Sequence, residues 1–148
     1  MASTIITVLA ALETRFEAID GLSDVQVSVG NPFSERLRED LVLIGNVDET
    51  EAFAGLGSDA REETYEIDII VSVVRSGRLT HLVMLQRAFV ISDLIEDSII
   101  AWRTESPVFG GICGWMGING KSTGHALMPD GKEREASVIL RLGVRARI

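Results

Sequence analysis

Cysteine is nearly missing from this chain: Cys113 is the sole one in 148 residues, which excludes an internal disulfide framework and any multi-cysteine zinc site. A reducing compartment is the default expectation. Cations are scarce too. Fourteen Lys and Arg stand against twenty-two Asp and Glu, a formal net charge of −8. That balance opposes generic nucleic-acid or anionic-membrane binding, because both begin with neutralisation of phosphate by cations. Long apolar runs are lacking as well. Even Leu79 to Trp102 is interrupted by Gln86, Arg87, Ser92, Asp93, Glu96 and Asp97, short of the roughly 18 to 20 residues that a membrane span requires. The apolar stretch Ile5 to Leu12 has no cation before it, Arg15 being the first, so it lacks the charged start of a secretory signal and reads as a helix of a soluble protein.

What is present suits a folded domain. Hydrophobic residues make up 46% and charged ones 24%, too apolar for a disordered acidic tail. Ile5, Leu9, Leu12, Phe16 and Ile19 recur at steps of three and four, predicting an amphipathic helix over Ser3 to Asp20 with Ser3 capping its start. Val25, Val27 and Val29 alternate with polar residues as a short strand, and Leu41 to Ile44 is a second apolar run stopped by Gly45-Asn46. From Asn46 to Arg61 periodicity fades and glycines sit among acids, predicting a long flexible surface loop.

Thr64 to Arg75 alternates clearly, with Tyr65, Ile67, Ile69, Val71 and Val73 on one face. After Ser76-Gly77 the residues Met84, Ala88, Ile91, Ile95, Ile99 and Trp102 form the stripe of a long helix ending near Arg103. Six glycines between 110 and 124 suggest bent or bulged strands, Pro129-Asp130-Gly131 a turn, and Ala136 to Ile148 a long terminal strand with Arg141, Arg145 and Arg147 on its polar face. The order predicts a single α+β domain over 1–148: an antiparallel or mixed sheet with an N-terminal helix and a long central helix on one face.

Three constellations invite chemistry and each falls short. Gly120-Lys121-Ser122 mimics a phosphate loop, but position 115 is Trp where the motif needs Gly, and no helix can follow through Gly124 and Pro129. Cys113 and His125 could pair as nucleophile and base, yet no third orienting residue is evident. His81 has no ligand partner at metal spacing. No catalytic residue, cofactor or metal is therefore expected. Asp48, Glu49, Glu51, Asp59, Glu62, Glu63, Glu66 and Asp68 crowd one stretch without the alternation of a calcium loop. A solvated face explains them, or an acidic docking surface opposed by Arg141, Arg145 and Arg147.

The helix, short strand, acidic stretch, Arg61-Glu62-Glu63-Thr64-Tyr65-Glu66-Ile67-Asp68-Ile69-Ile70-Val71, Gly77 and long helix, then Asp130-Gly131-Lys132 before an alternating strand, occur in an order that resembles the tail terminator proteins of long-tailed bacteriophages. These are also called tail-completion or head-to-tail joining proteins. The resemblance spans most of the chain and rests on polarity and order. It implies a non-enzymatic structural subunit that forms a ring, usually a hexamer, on the head-proximal end of the tail tube, assembled in the host cytoplasm and ending at the tail–neck junction of the virion. The implied partners are other copies of the chain, the tail tube protein and head-neck connector proteins, with DNA only passing through the lumen and no membrane. Asp48, Glu49, Glu51, Phe53 and Leu56 are the expected interface residues of the loop, with Phe53 and Leu56 as apolar anchors, and Arg141, Arg145 and Arg147 are those of the last strand. A different connector or stopper protein of the neck, or a small enzyme using Cys113 and His125, are the alternatives.

Overall fold

A computed structural model describes residues 3–30, 38–53, 61–76, 81–127 and 133–147. Helix α1 (Ile5–Glu17) is followed by strands β1 (Gln26–Val29), β2 (Asp40–Phe53) and β3 (Arg61–Ser76), helix α2 (His81–Glu105), and strands β4 (Trp115–Leu127) and β5 (Glu133–Arg147). The five strands form one sheet in the order β1-β2-β3-β5-β4. The β1–β2 pair is parallel and the other pairs are antiparallel. The fold is α+β with a mixed sheet, as the order of patterns predicts.

The two central strands carry the core because their alternation is strict. Tyr65, Ile67, Ile69, Val71 and Val73 of β3 and Ala136, Val138, Leu140, Leu142 and Val144 of β5 are buried on one face. The α2 stripe Met84, Ala88, Ile91, Ile95 and Ile99 packs on them, and α1 adds Val8, Leu12 and Phe16. Each large side chain among these, fully buried, contributes about 1.5–3 kcal/mol. A Cβ on Gly21, in the 3-10 turn Asp20–Leu22, would lie 2.7 Å from the terminal methyl of Leu94, so a larger residue there would turn that side chain aside.

The loop expected over 46–61 is a correction. Residues 46–53 continue β2, and β3 begins at Arg61, so that Val47 to Phe53 pair with Ile67 to Arg61. Gly45-Asn46 does not stop the strand; it makes a bulge between Gly45 and Val47, with Asn46 at φ 42°. Asn tolerates that left-handed conformation because its short side chain bonds locally. One residue is absorbed and pairing resumes. Leu56 and the turn at Pro129-Asp130-Gly131 lie outside the described residues. Of the glycine-rich segment, Gly110 and Gly111 lie in a 3-10 turn (Phe109–Gly111) with positive φ and Gly114 precedes β4, so only Gly117, Gly120 and Gly124 lie in a strand, which is bulged with Asn119 left over between Ile118 and Gly120.

Candidate functional site

The sheet face away from the helices gathers the charged residues that the sequence keeps apart. Asp68 pairs directly with Arg141 across β3 and β5, and Thr64 with Arg145. The Arg141 Nε lies 3.5 Å from Glu66 and 3.6 Å from Asp68, and the Arg145 Nε lies 3.3 Å from Glu62. Both arginine side chains are more than half exposed, at 56% and 63%, so each pair is worth only about 0–1 kcal/mol. Their effect is on charge: Arg141 relieves the like-charged Asp48 and Glu66, which stand directly opposite on β2 and β3. Asp48 and Glu49 are exposed, whereas Glu51, Phe53 and Arg147 are placed by their backbones in β2 and β5. The structure thus brings the acidic stretch and Arg141 and Arg145 together within one copy.

Trp115 belongs to the same face and is invisible to periodicity, since it stands in a run of glycines. Its ring lies across Gly117 and Gly143, a cross-strand pair. A Cβ on Gly117 would meet the indole at 2.8 Å and one on Gly143 would meet it at 3.1 Å, so only glycine fits under the ring. Trp115 remains 42% exposed. Arg103 donates from Nη2 to the Met116 carbonyl at 2.8 Å, and the Asn119 amide donates to Glu66 at 3.4 Å. An open groove of about 480 Å³ beside it is lined by Glu66, Asn119, Gly120, Lys121, Ser122, Ile139 and Arg141.

On the helix side, a second groove of about 430 Å³ runs between α1 and α2, lined by Ala10, Ala11, Thr14, Arg15 and Trp102. The Arg15 guanidinium sits 5.3 Å over the Trp102 ring and bonds Glu105 at 2.9 Å.

Among the described residues, Asp40 and Glu63 are the buried carboxylates. Asp40 accepts from Arg75 at 2.6 Å and from Arg87 at 3.0 Å. Burial opposes its charge, but the hydrogen bonds from Arg75 and then Arg87 outweigh it and hold the carboxyl below its usual range. Glu63 takes Ser3 Oγ at 3.1 Å, Thr4 N–H at 3.1 Å and Thr4 Oγ1 at 2.8 Å, all on Oε1. It therefore caps α1 from the sheet, while Ser3 also accepts from the Ile5 N–H at 3.2 Å. The Tyr65 hydroxyl shares a 2.9 Å hydrogen bond with Thr4, and burial pushes its phenol up to about 12.

The chemical candidates separate. Cys113 is buried just before β4, while His125 is ten residues along that strand from Trp115, which at about 3.3 Å per residue puts them at opposite ends. Burial also pushes the Cys113 thiol up to about 11, so little thiolate forms at neutral pH. The ring of His125 instead meets that of His81 at 4.6 Å, tilted by 56°. Lys121 lies in β4, 2.7 Å from Glu96 of α2, so Gly120-Lys121-Ser122 is strand and not a phosphate loop. Among the described residues no group of three or more His, Cys, Asp or Glu is arranged to hold a metal ion, and no helix is long and apolar enough to cross a membrane.

No family model and no curated protein matches the sequence. Among solved structures, a chain of the virion of a native gene transfer agent particle superposes with a TM-score of 0.46 at 12% identity, over 99% of this chain and 100% of that one.

Proposed function

We infer that this protein is a structural subunit of a phage-like virion, a tail terminator that assembles as a ring, a hexamer, on the head-proximal end of the tail tube. The ring stops tube polymerisation and offers the neck a surface for joining head to tail. The observation that carries this reading is the order of patterns across most of the chain, from the N-terminal helix through the Arg61 to Val71 stretch to the alternating strand after Asp130-Gly131-Lys132. Support comes from the charged sheet face, where acids and arginines alternate around an exposed Trp. Tryptophan and arginine are the side chains enriched at the energetic centres of protein interfaces. The net charge of −8 suits a ring that lets DNA pass without gripping it.

Electron microscopy of the purified protein, alone and mixed with tail tube protein, tests the reading. Rings that cap tube ends and limit tube length are the expected result. Rings that bind only neck connectors, with tubes growing unchecked, would make it a stopper or connector instead, and a monomer indifferent to both partners would overturn it.

A further inference from the structure

We propose that His81 and His125 together bind a late first-row divalent ion, Ni²⁺, Cu²⁺ or Zn²⁺, which clips the start of α2 to the far end of β4. They are the two histidines of the chain, 44 positions apart in sequence. Spacing gives His81 no partner, but the fold does: the two ring centroids lie 4.6 Å apart, with the planes tilted by 56°. Both positions are held by the core beneath them. His81 opens α2, and Met84, about one turn on, is 2% exposed. His125 pairs across the sheet with Ala136, which is fully buried. The two backbones are therefore fixed before any ion arrives. The rings still reach solvent, His125 being exposed and His81 half-buried.

Imidazole is the commonest protein ligand for such ions, and the ring separation suits one ion between them. With metal–nitrogen bonds of about 2.0–2.1 Å each ring centre lies about 3.2 Å from the ion, so centres 4.6 Å apart subtend about 90° there. That is the angle between neighbouring ligands in the square-planar and tetragonal sites of Cu²⁺ and Ni²⁺. Hard cations are a poor fit. Among the described residues no carboxylate or thiol joins the two rings in a group of three, whereas calcium and magnesium require oxygen ligands. The positive end of α2 also lies at His81, so surrounding charge does not attract a cation. Donation from two nitrogen lone pairs must hold it, which selects the ions that imidazole suits. Water fills the remaining positions at this exposed rim.

Calorimetric titration of the full chain, without a histidine tag, with Ni²⁺ and with Cu²⁺ tests the proposal. One ion per chain is expected, with a rise in melting temperature on saturation, and Mg²⁺ should produce neither. His81→Ala and His125→Gln should each weaken binding at least tenfold and remove the rise, while far-UV circular dichroism stays unchanged. Electron paramagnetic resonance of the Cu²⁺-loaded parent should show two imidazole nitrogens on the ion. That spectrum is read on the parent, so it decides the matter even if a variant folds poorly. No binding, full binding by either variant, or a single nitrogen in the parent spectrum would overturn the site. One ion per two chains, with a metal-induced dimer in sedimentation, would also overturn it by placing the two imidazoles on different copies. The clip lies within one chain and is independent of ring assembly, so none of these outcomes bears on the tail terminator reading.

Discussion

Asp40 and Glu63 are both carboxylates placed in the core side of the sheet, 5% and 0% exposed, and they are satisfied in different ways. Asp40 has a guanidinium on each oxygen, from β3 and from α2, and Arg87 reaches on to Asp24 at 3.2 Å. Glu63 has three uncharged donors on one oxygen and no partner on Oε2, which is buried. Burying a charge is costly unless charge or several hydrogen bonds replace the lost water. Asp40 therefore ties three elements together, whereas Glu63 gives α1 its N-terminal anchor and leaves half of its own need unmet.

Removing Asp40 should have the largest effect. Asp40→Ala strands two guanidiniums at the junction of β2, β3 and α2. Breaking a buried pair costs about 3–5 kcal/mol, reduced here to about 2–3 kcal/mol because Arg75 and Arg87 are 23% and 29% exposed. Denaturant unfolding measures it, and a loss under about 1 kcal/mol would show that water serves these arginines equally well. The same pair predicts a pH dependence. The folded carboxyl titrates below its unfolded value of 3.8, so its stabilisation is complete above that pH and disappears as pH falls through the lower folded value. The melting temperature of the parent should drop towards that of Asp40→Asn as pH falls below about 4, and parallel curves for the two proteins would rule the linkage out.

Glu63→Gln sharpens the contrast. The amide oxygen keeps Ser3 and Thr4 as donors, the charge goes, and the second position stays without a partner. Stability should stay level or rise, within about 1 kcal/mol. A loss above about 2 kcal/mol would mean that Oε2 faces a compensating charge.

The sequence shows part of this plainly and hides the rest for physical reasons. The alternation of β3 and β5 and the α2 stripe are set by local periodicity, and all are found. The run of β2 past Gly45-Asn46 is hidden because a bulge at Asn46, with φ 42°, depends on pairing with β3. Asn46→Val, which resists that φ, should cost about 1–2 kcal/mol, while Asn46→Gly should be tolerated. Arg141 and Arg145 are legible as a polar face, but their partners Glu66, Asp68 and Glu62 follow only from the sheet order, which puts β5 beside β3. Trp115 could have been suspected from the two glycines that share its strand neighbourhood, yet Gly143 is 28 positions away in sequence and becomes a neighbour only through register.

The smallest effect is spectroscopic and reads the Glu63 site through its neighbour Tyr65. Tyr65 is the sole tyrosine in the chain. Burial is the main reason its phenol is pushed up to about 12; the Thr4 hydrogen bond opposes the rise and the Glu63 charge adds to it. Its folded value exceeds the unfolded 10.0, so the associated stability is complete below pH 10 and is lost as pH rises through about 12. Tyrosinate absorbance should therefore appear only near pH 12 in the folded protein. In Glu63→Gln the midpoint should move down, because one contribution that raises it is gone while the burial is kept. A midpoint near 10 in the folded parent would place the ring in water and break the account of α1 docking through Thr4. A midpoint that Glu63→Gln leaves unmoved would show that the carboxylate and the phenol, although both reach Thr4, do not feel each other's charge.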